Sequence, residues 1–426
     1  MEHPVVAVVL LALVARMLVA IASFVLTDGY LIPDEALYVD LGRAVVVHGL
    51  TPDQWYPGYG QSFYDSTRTF SGPLVFLFEV FGATRLVGQV FVAFVGTVAA
   101  GATVVIALRF LTPAFAALAG IVVALTPSEV LFSSVVLREA HVWLALTLLA
   151  GAALLLSSTD WRRVAGGFVL AAVSLLALAF LREQTMLAAA WALALAVIFT
   201  PRRLWVPRVA AGVAVAAFIP LLAGFGLAGW GLVTSTAPNL AETRGILAVG
   251  ANSAFVPARP APGRVTPSAT RGGAASIAAR AAAGGGGSVS ASLEHLPTGL
   301  VDVTLRPFPW ESSVGVTLLL ARLETFLWYV LYALSLVGIA VSVRRRSARL
   351  ALQFPVLVLG MLVGIAALTQ GNLGTAFRHR DQVLYVLALC AAAGLQWLVR
   401  ESQWARSRRR DTVSDRQSEL NAPSIT

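Results

Sequence analysis

The chain has 426 residues, of which 58% are hydrophobic and 12% charged, whereas an ordinary soluble domain is roughly 25% charged. Its formal charge of +9 rests on 31 basic residues, and since the sequence holds no lysine every one is an arginine. The arginines lie mostly in short segments between long apolar blocks, the distribution of a membrane-topology signal, which argues against a nucleic-acid partner. The single cysteine, Cys390, sits in an apolar run, so neither a disulfide nor a cysteine metal site can form within the chain.

Each apolar block is near the roughly 20 residues that cross a bilayer. Ten spans are predicted: 5–26, 84–108, 112–126, 134–157, 163–181, 185–200, 207–232, 313–343, 350–369 and 383–399. The chain is therefore expected to be an all-α integral membrane protein. The first block contains Ala20-Ile21-Ala22, which resembles a signal cleavage site. It has no basic cluster at its start and Arg16 interrupts its core, so a retained helix is expected.

The chain divides into an N-terminal transmembrane module, 1–232, whose first loop is 27–83, and a long loop, 233–312. Transmembrane helices at 313–400 and a tail at 401–426 follow. Within the long loop, 257–291 is dominated by Ala, Gly, Pro, Ser and Arg and is expected to be mobile, or to act as a lid that orders on binding. The segment from Arg306 to Glu311 alternates proline with aromatics and is expected to be stiff and to lie at headgroup level. The polar tail is expected to be disordered.

With the N-terminus cytoplasmic, Arg109, Arg162, Arg163, Arg202, Arg203, Arg208, Arg344, Arg345, Arg346, Arg349 and Arg400 all fall inside. Both termini are then cytoplasmic. The outer side collects Asp34-Glu35, Arg138-Glu139, Arg182-Glu183 and Arg378-His379-Arg380-Asp381. Ionisable groups near membrane depth are costly and mark functional candidates, so four outer loops carrying charge suggest one shared site. Bland readings stand beside this one. The Asp-Glu pair can be solvated, Arg138-Glu139 can be an internal ion pair, Arg182-Glu183 can end a span, and Arg378-His379-Arg380 can anchor to headgroups. Arg16 and Glu324, inside spans, are read as structural. Trp55, Tyr56 and Tyr59 fit an interfacial aromatic belt, with sugar stacking as the alternative.

Glycosyl transfer from a lipid phosphate needs a base for the acceptor, cations for the departing phosphate and an apolar groove for the lipid. Asp34 or Glu35 suits the first role, and outer arginines suit the second because guanidinium matches phosphate oxygens. Residues Ala36, Leu37, Val39, Leu41, Ala44, Val45 and Val46 have the spacing of an amphipathic surface helix directly after the acidic pair.

In this order of elements the chain resembles the GT-C class of polytopic glycosyltransferases, family 39 in particular. Its relatives there include protein O-mannosyltransferases and bacterial aminoarabinose and related polyprenyl-phosphate-sugar transferases. The resemblance rests on Asp34-Glu35-Ala36-Leu37-Tyr38 after the first span, then Ser71-Gly72-Pro73-Leu74, Phe81-Gly82 and Arg85, with Arg138-Glu139 and Arg182-Glu183 in their places. It covers about residues 1–205. The chain departs from the pattern at Ser71 and Gly72, where some relatives carry a basic residue, so phosphate binding falls to Arg68, Arg138, Arg182 or Arg378.

The resemblance implies an inverting hexosyl or pentosyl transfer from a polyprenyl-phosphate sugar to a glycan, lipid or protein acceptor of the cell envelope, at the outer face of the plasma membrane. It implies Asp34, Glu35 and Glu139 as catalytic residues. Tyr38, Arg68, Arg138, Arg182, Arg378, His379 and Arg380 become the substrate and phosphate ligands. No cofactor is indicated, and the first loop has no clear Asp-x-Asp for a divalent metal. The rival readings are a transporter or flippase of lipid-linked saccharides and a non-catalytic assembly protein of the envelope. The absence of a repeat relating the two halves favours the enzyme over a transporter.

Overall fold

A computed structural model describes residues 3–27, 29–199, 289–311, 316–369 and 373–420. Among these residues all regular structure is helical. The first loop of the sequence folds into α2 (Pro33–Val46), α3 (Pro52–Trp55), α4 (Gly60–Ser66) and α5 (Arg68–Phe81), between α1 (Pro4–Leu26) and α6 (Arg85–Ala107). Next come α7 (Pro113–Leu125), α8 (Pro127–Phe132), α9 (Glu139–Leu156), α10 (Trp161–Ala179) and α11 (Glu183–Ile198). After the long loop stand α12 (Val289–Leu305), α13 (Val316–Arg344), α14 (Arg346–Thr369), α15 (Leu373–Asp381) and α16 (Leu384–Leu420). Seven of the described helices are long and apolar enough to span a membrane. The spans expected at 112–126 and 185–200 are the shorter apolar helices α7 and α11. The span expected at 207–232, and nearly all of the 257–291 stretch, lie outside the described residues.

Side-chain size explains how the bundle closes. α1 buries Val8, Ala12, Arg16, Ala20 and Ser23, a stripe three or four residues apart, and leaves Leu10, Val14, Leu18 and Val25 exposed. Helices in lipid gain nothing hydrophobic by touching each other, so small residues face the bundle and large apolar ones face the acyl chains. The α1 stripe meets α6 and α7. A Cβ on Gly96 of α6 would stand 2.7 Å from Ser133 Cβ and 2.8 Å from Arg16 Nε. Arg16 therefore reaches its partners only past a glycine.

Those partners are helix-end carbonyls. Arg16 donates to Ala124 O at 3.0 Å and Val123 O at 3.2 Å, at the C-terminus of α7. Arg85 does the same for α1, donating to Ser23 O at 2.7 Å and to Gly29 O. A cation at a helix C-terminus satisfies orphan carbonyls and opposes the negative end of the dipole. Both arginines are structural.

The tightest pair is α13 with α16. A side chain at Gly338 would run into the backbone carbonyl of Cys390, and one at Gly394 into that of Leu334. Backbone cannot yield as a side-chain tip can, so Gly338→Val is expected to lower stability by about 1–3 kcal/mol or more. A detergent-solubilised melting curve checks this, with Gly360→Val, whose site is open, as the control.

Three expectations need correction. The span drawn from 134 starts as a helix only at Glu139, and residues 133–138 form a non-helical buried segment. Pro127 disfavours helical backbone at Thr126 and ends α7 there. After the short α8, the Ser133 and Ser134 hydroxyls bond back to Glu129 and Val130 carbonyls, which competes with continued helix. α2 is more than a surface helix, since Tyr38, Val39, Leu41 and Ala44 are buried and it packs on α5. Finally, the tail from 401 continues α16 to Leu420, a stretch without Gly or Pro to break it.

The segment after α12 is strapped to α13. Tyr332 and Tyr329 hydroxyls donate to Thr304 O and Leu305 O, both at 2.9 Å. Thr325 donates to Pro307 O at 3.0 Å and Arg322 to Pro309 O at 2.6 Å. Residues 322, 325, 329 and 332 share one helix face. On this strap Phe308 and Trp310 stack with centroids 5.0 Å apart, and Trp310 is exposed.

Candidate active site

By chain connectivity the C-termini of α1, α7 and α10 and the N-termini of α6, α9 and α11 share one end of the bundle, and the contacts of Arg378 with Asp34 and of Gln382 with Thr185 bring the C-terminus of α14 and the N-terminus of α16 to it. Arg109, Arg162, Arg163, Arg344, Arg345, Arg346 and Arg400 belong to the other. At the first end lies a cavity of about 290 Å³. α2 brings Asp34, Leu37 and Tyr38 to it, the start of α4 brings its N-cap Tyr59 and Phe63, the segment before α9 brings Leu137 and Arg138, α9 opens with Glu139, Arg182 enters ahead of α11, and α15 supplies Arg378 and His379.

Asp34 owes its place to local chemistry. Pro33 occupies the first helical position, where its missing N–H is no loss, and acidic Asp34 and Glu35 fill the positive first turn. Arg378 Nη1 donates to Asp34 Oδ2 at 2.7 Å, and Asp34 remains about half-exposed toward the cavity. The same nitrogen is 3.7 Å from Glu139 Oε1, which also accepts from Arg182 Nη2 at 3.2 Å. Glu139 thus pairs with Arg182 and Arg378 across the cavity rather than with its neighbour Arg138.

Three guanidiniums and two carboxylates line the space, an excess of one positive charge. Burial opposes the charge on Arg378, yet the Glu139 and Asp34 carboxylates hold it above its ordinary value. Burial and the like charge of Arg138 pull Arg182 down to about 10. His379 is pushed well below the usual histidine range by burial and by Arg182, Arg378 and Arg138, so it is a neutral imidazole at neutral pH. Burial lifts the Tyr38 phenol to about 12. Its ring is fixed edge-on to Phe70 at 4.8 Å and against Phe63 at 5.1 Å. Among the described residues no group of three or more His, Cys, Asp and Glu side chains is arranged to hold a metal ion. The cation between Asp34 and Glu139 is Arg378.

Of the ten residues singled out from sequence, Asp34, Tyr38, Arg138, Glu139, Arg182, Arg378 and His379 line this one cavity. Three do not. Glu35 is fully buried behind α2, accepting from Gln89 Nε2 at 3.1 Å and from Val136 N at 3.2 Å. Arg68 is exposed on a separate groove against Val173 and Leu176 of α10 and Phe180 just after it. Arg380 turns away to the Trp328 face, 4.4 Å from its centroid, and to Arg306 O at 3.2 Å. Adjacent residues on a helix point about 100° apart, so Glu35 cannot follow Asp34 into the cavity. Tyr59 reads from the sequence only as part of an interfacial aromatic belt, and Phe63 is not singled out there at all.

Glu35 acts as a strut between α2, α6 and the segment carrying Arg138 and Glu139. Burial raises its pKa, against the smaller opposing pull of the Val136 N–H, Arg85 and Gln89. The folded state therefore holds the proton more tightly than the unfolded chain, whose value is about 4.3. This stabilisation is complete below the unfolded value and is lost as pH rises through the folded one. Melting temperatures of the parent, measured relative to Glu35→Gln, should fall as pH climbs through that window. A constant difference would contradict the buried placement.

No protein-family model matches the chain, and no curated protein does. Solved structures do. The archaeal oligosaccharyltransferase AglB from Archaeoglobus fulgidus, in complex with an inhibitory peptide and a dolichol-phosphate, superposes with a TM-score of 0.53 at 14% identity, over 95% of this chain and 52% of that one. The fold is GT-C-like. The apo form of the Archaeoglobus fulgidus oligosaccharyltransferase aligns at 0.47 with the same identity and shares. This chain spans about half the length of those proteins, and at such identity the likeness is one of fold.

Proposed function

We propose that the protein is an inverting glycosyltransferase that moves a sugar from a polyprenyl-phosphate donor to an acceptor of the cell envelope. The observation that carries this reading is the single cavity in which a half-exposed carboxylate, Asp34, faces Arg138, Arg182 and Arg378 at one end of a membrane bundle. A lipid-anchored substrate can present its phosphate and sugar there while its tail stays in the bilayer. The GT-C-like fold is shared with an oligosaccharyltransferase captured with a dolichol-phosphate, a ligand of the same chemistry.

In this reading Asp34 takes the proton of the acceptor hydroxyl or amine. The acceptor atom bonds to the anomeric carbon on the face opposite the phosphate, inverting it. The bond from that carbon to the phosphate oxygen breaks, and the electron pair leaves with the phosphate. The excess positive charge of the arginines stabilises that developing anion, and Tyr59 and Phe63 flank the sugar. Arg378, bonded to Asp34, couples base and leaving-group pocket. Glu139 anchors Arg182 and Arg378 rather than acting on substrate. The family 39 and aminoarabinose-transferase likeness of the sequence favours single-sugar donors. The arginine-rich end is placed in the cytoplasm, as positive residues prefer, with the cavity on the outer face of the plasma membrane.

Purified protein in liposomes, given polyprenyl-phosphate hexoses and pentoses with envelope acceptors, tests the reading. Transfer with inversion is expected. Movement of the donor between leaflets without transfer would replace it with the flippase reading.

A further inference from the structure

α15 is fastened by consecutive residues to different parts of the molecule. Arg378 reaches α2 and α9, Arg380 covers Trp328 of α13, Asp381 meets Ser128 of α8, and Gln382 just beyond accepts from Thr185 of α11 at 3.0 Å. The contact at Asp381 carries a proton-counting problem. Ser128 Oγ stands 2.7 Å from Glu324 Oε1 and 3.0 Å from Asp381 Oδ1. A hydroxyl has one hydrogen and can donate to only one of them, and a carboxylate has none to give back. Both contacts can be hydrogen bonds only if one of the two acids holds a proton.

The donor inventory decides which. Glu324 Oε2 accepts from Ser128 N at 2.7 Å, at the first turn of α8, and its Oε1 accepts from Trp328 Nε1 at 2.7 Å. Those N–H groups and the serine hydroxyl satisfy an anion. Asp381 is 1% exposed, its Oδ2 has no hydrogen-bond partner, and it makes no ion pair among the described residues. Its neighbour Arg380 lies over Trp328 and gives Nη1 to the carbonyls of Thr304 and Arg306, while its Nε and Nη2 have no hydrogen-bond partner, so no bond joins it to Asp381. An isolated buried carboxylate is far more costly than a neutral acid.

We propose that Asp381 is a positioning residue held as a neutral carboxylic acid, whose hydroxyl donates to Ser128 Oγ while Ser128 donates to Glu324, so that a buried proton fixes α15 and with it Arg378. The charged and titratable groups around it are Glu129 of α8, Glu324 and Tyr332 of α13 and Arg380 of α15, with Arg16 of α1 beside Glu129. Burial, then the Glu324 and Glu129 carboxylates, hold Asp381 well above the usual carboxylate range; Arg380 and Ser128 oppose this weakly. The protonation stands independently of the glycosyltransferase reading. Its consequence for catalysis rests on that reading.

Asp381→Asn offers an amide N–H where the acid offers O–H, so it should fold, melt near the parental temperature and transfer sugar near the parental rate. Asp381→Leu cannot bond Ser128, and the resulting displacement of Arg378 should cost about 10²-fold in transfer. Infrared difference spectra at neutral pH should show a protonated-carboxyl C=O band in the parent that is missing from Asp381→Asn. The parent should lose activity on the alkaline side as Asp381 ionises, and Asp381→Asn should not. Identical carboxyl bands in parent and Asp381→Asn would overturn the proposal, as would an inactive Asp381→Asn that melts normally. A parent that shows the band but transfers no sugar would instead sink the glycosyltransferase reading and leave the neutral acid standing.

Discussion

Asp34→Asn is expected to reduce sugar transfer by about 10²–10⁴-fold, the usual contribution of a positioned general base, with little change in the binding of polyprenyl phosphate. The substitution keeps an oxygen to accept from Arg378 and removes only the ability to take a proton. The half-exposed setting of Asp34 means that its truncation should hardly affect the melting temperature. Glu35→Gln is the matched control. That side chain is fully buried, with its carboxylate turned to Gln89 and Val136 N, so transfer should survive. Single-turnover rates on both variants separate the two carboxylates, which adjacency in sequence cannot do. Equal losses in both would contradict the assignment of base and strut.

That difference marks where sequence reasoning stopped. Apolar block length foretold the seven described helices that are long and apolar enough to span a membrane, and placed α7 and α11 as well, because lipid imposes one rule on every spanning segment. Seven of the ten proposed site residues meet at one cavity for a related reason, since charges too costly for lipid gather where water reaches. Hydropathy said less about direction within a turn. It could not tell that Arg380 points away from the space that Arg378 and His379 enter, or that Glu35 turns its back on Asp34. Nor could it show that 133–138 is a buried irregular segment, because serine and valine there read as apolar helix. Its backbone is accommodated by particular partners, Val136 N on Glu35 among them, and such pairings across about a hundred residues have no local signature. The Asp381–Ser128–Glu324 contact is of the same kind, joining residues far apart in the chain.

Arg378→Ala should have an effect of similar size through a different quantity. Its Nη1 bonds Asp34 at 2.7 Å and lies 3.7 Å from Glu139, so its loss frees the proposed base and removes one of the three guanidiniums that line the cavity. Removing one preorganised charge-stabilising donor typically costs about 10²–10³-fold, and weaker binding of polyprenyl phosphate should accompany the slower turnover. Glu139 keeps Arg182 at 3.2 Å, so it is not left as an unpaired buried charge and stability should drop only by about 1.5–3 kcal/mol, the range for a hydrogen bond to a charged group. Arg378→Lys should recover part of the binding but little of the rate, because a single ammonium lacks the guanidinium fork. Combined with Asp34→Asn, the losses should be less than multiplicative, since residues sharing a hydrogen bond do not act independently. Fully multiplicative losses in that cycle would mean that Arg378 serves the phosphate alone and that its bond to Asp34 plays no part in transfer.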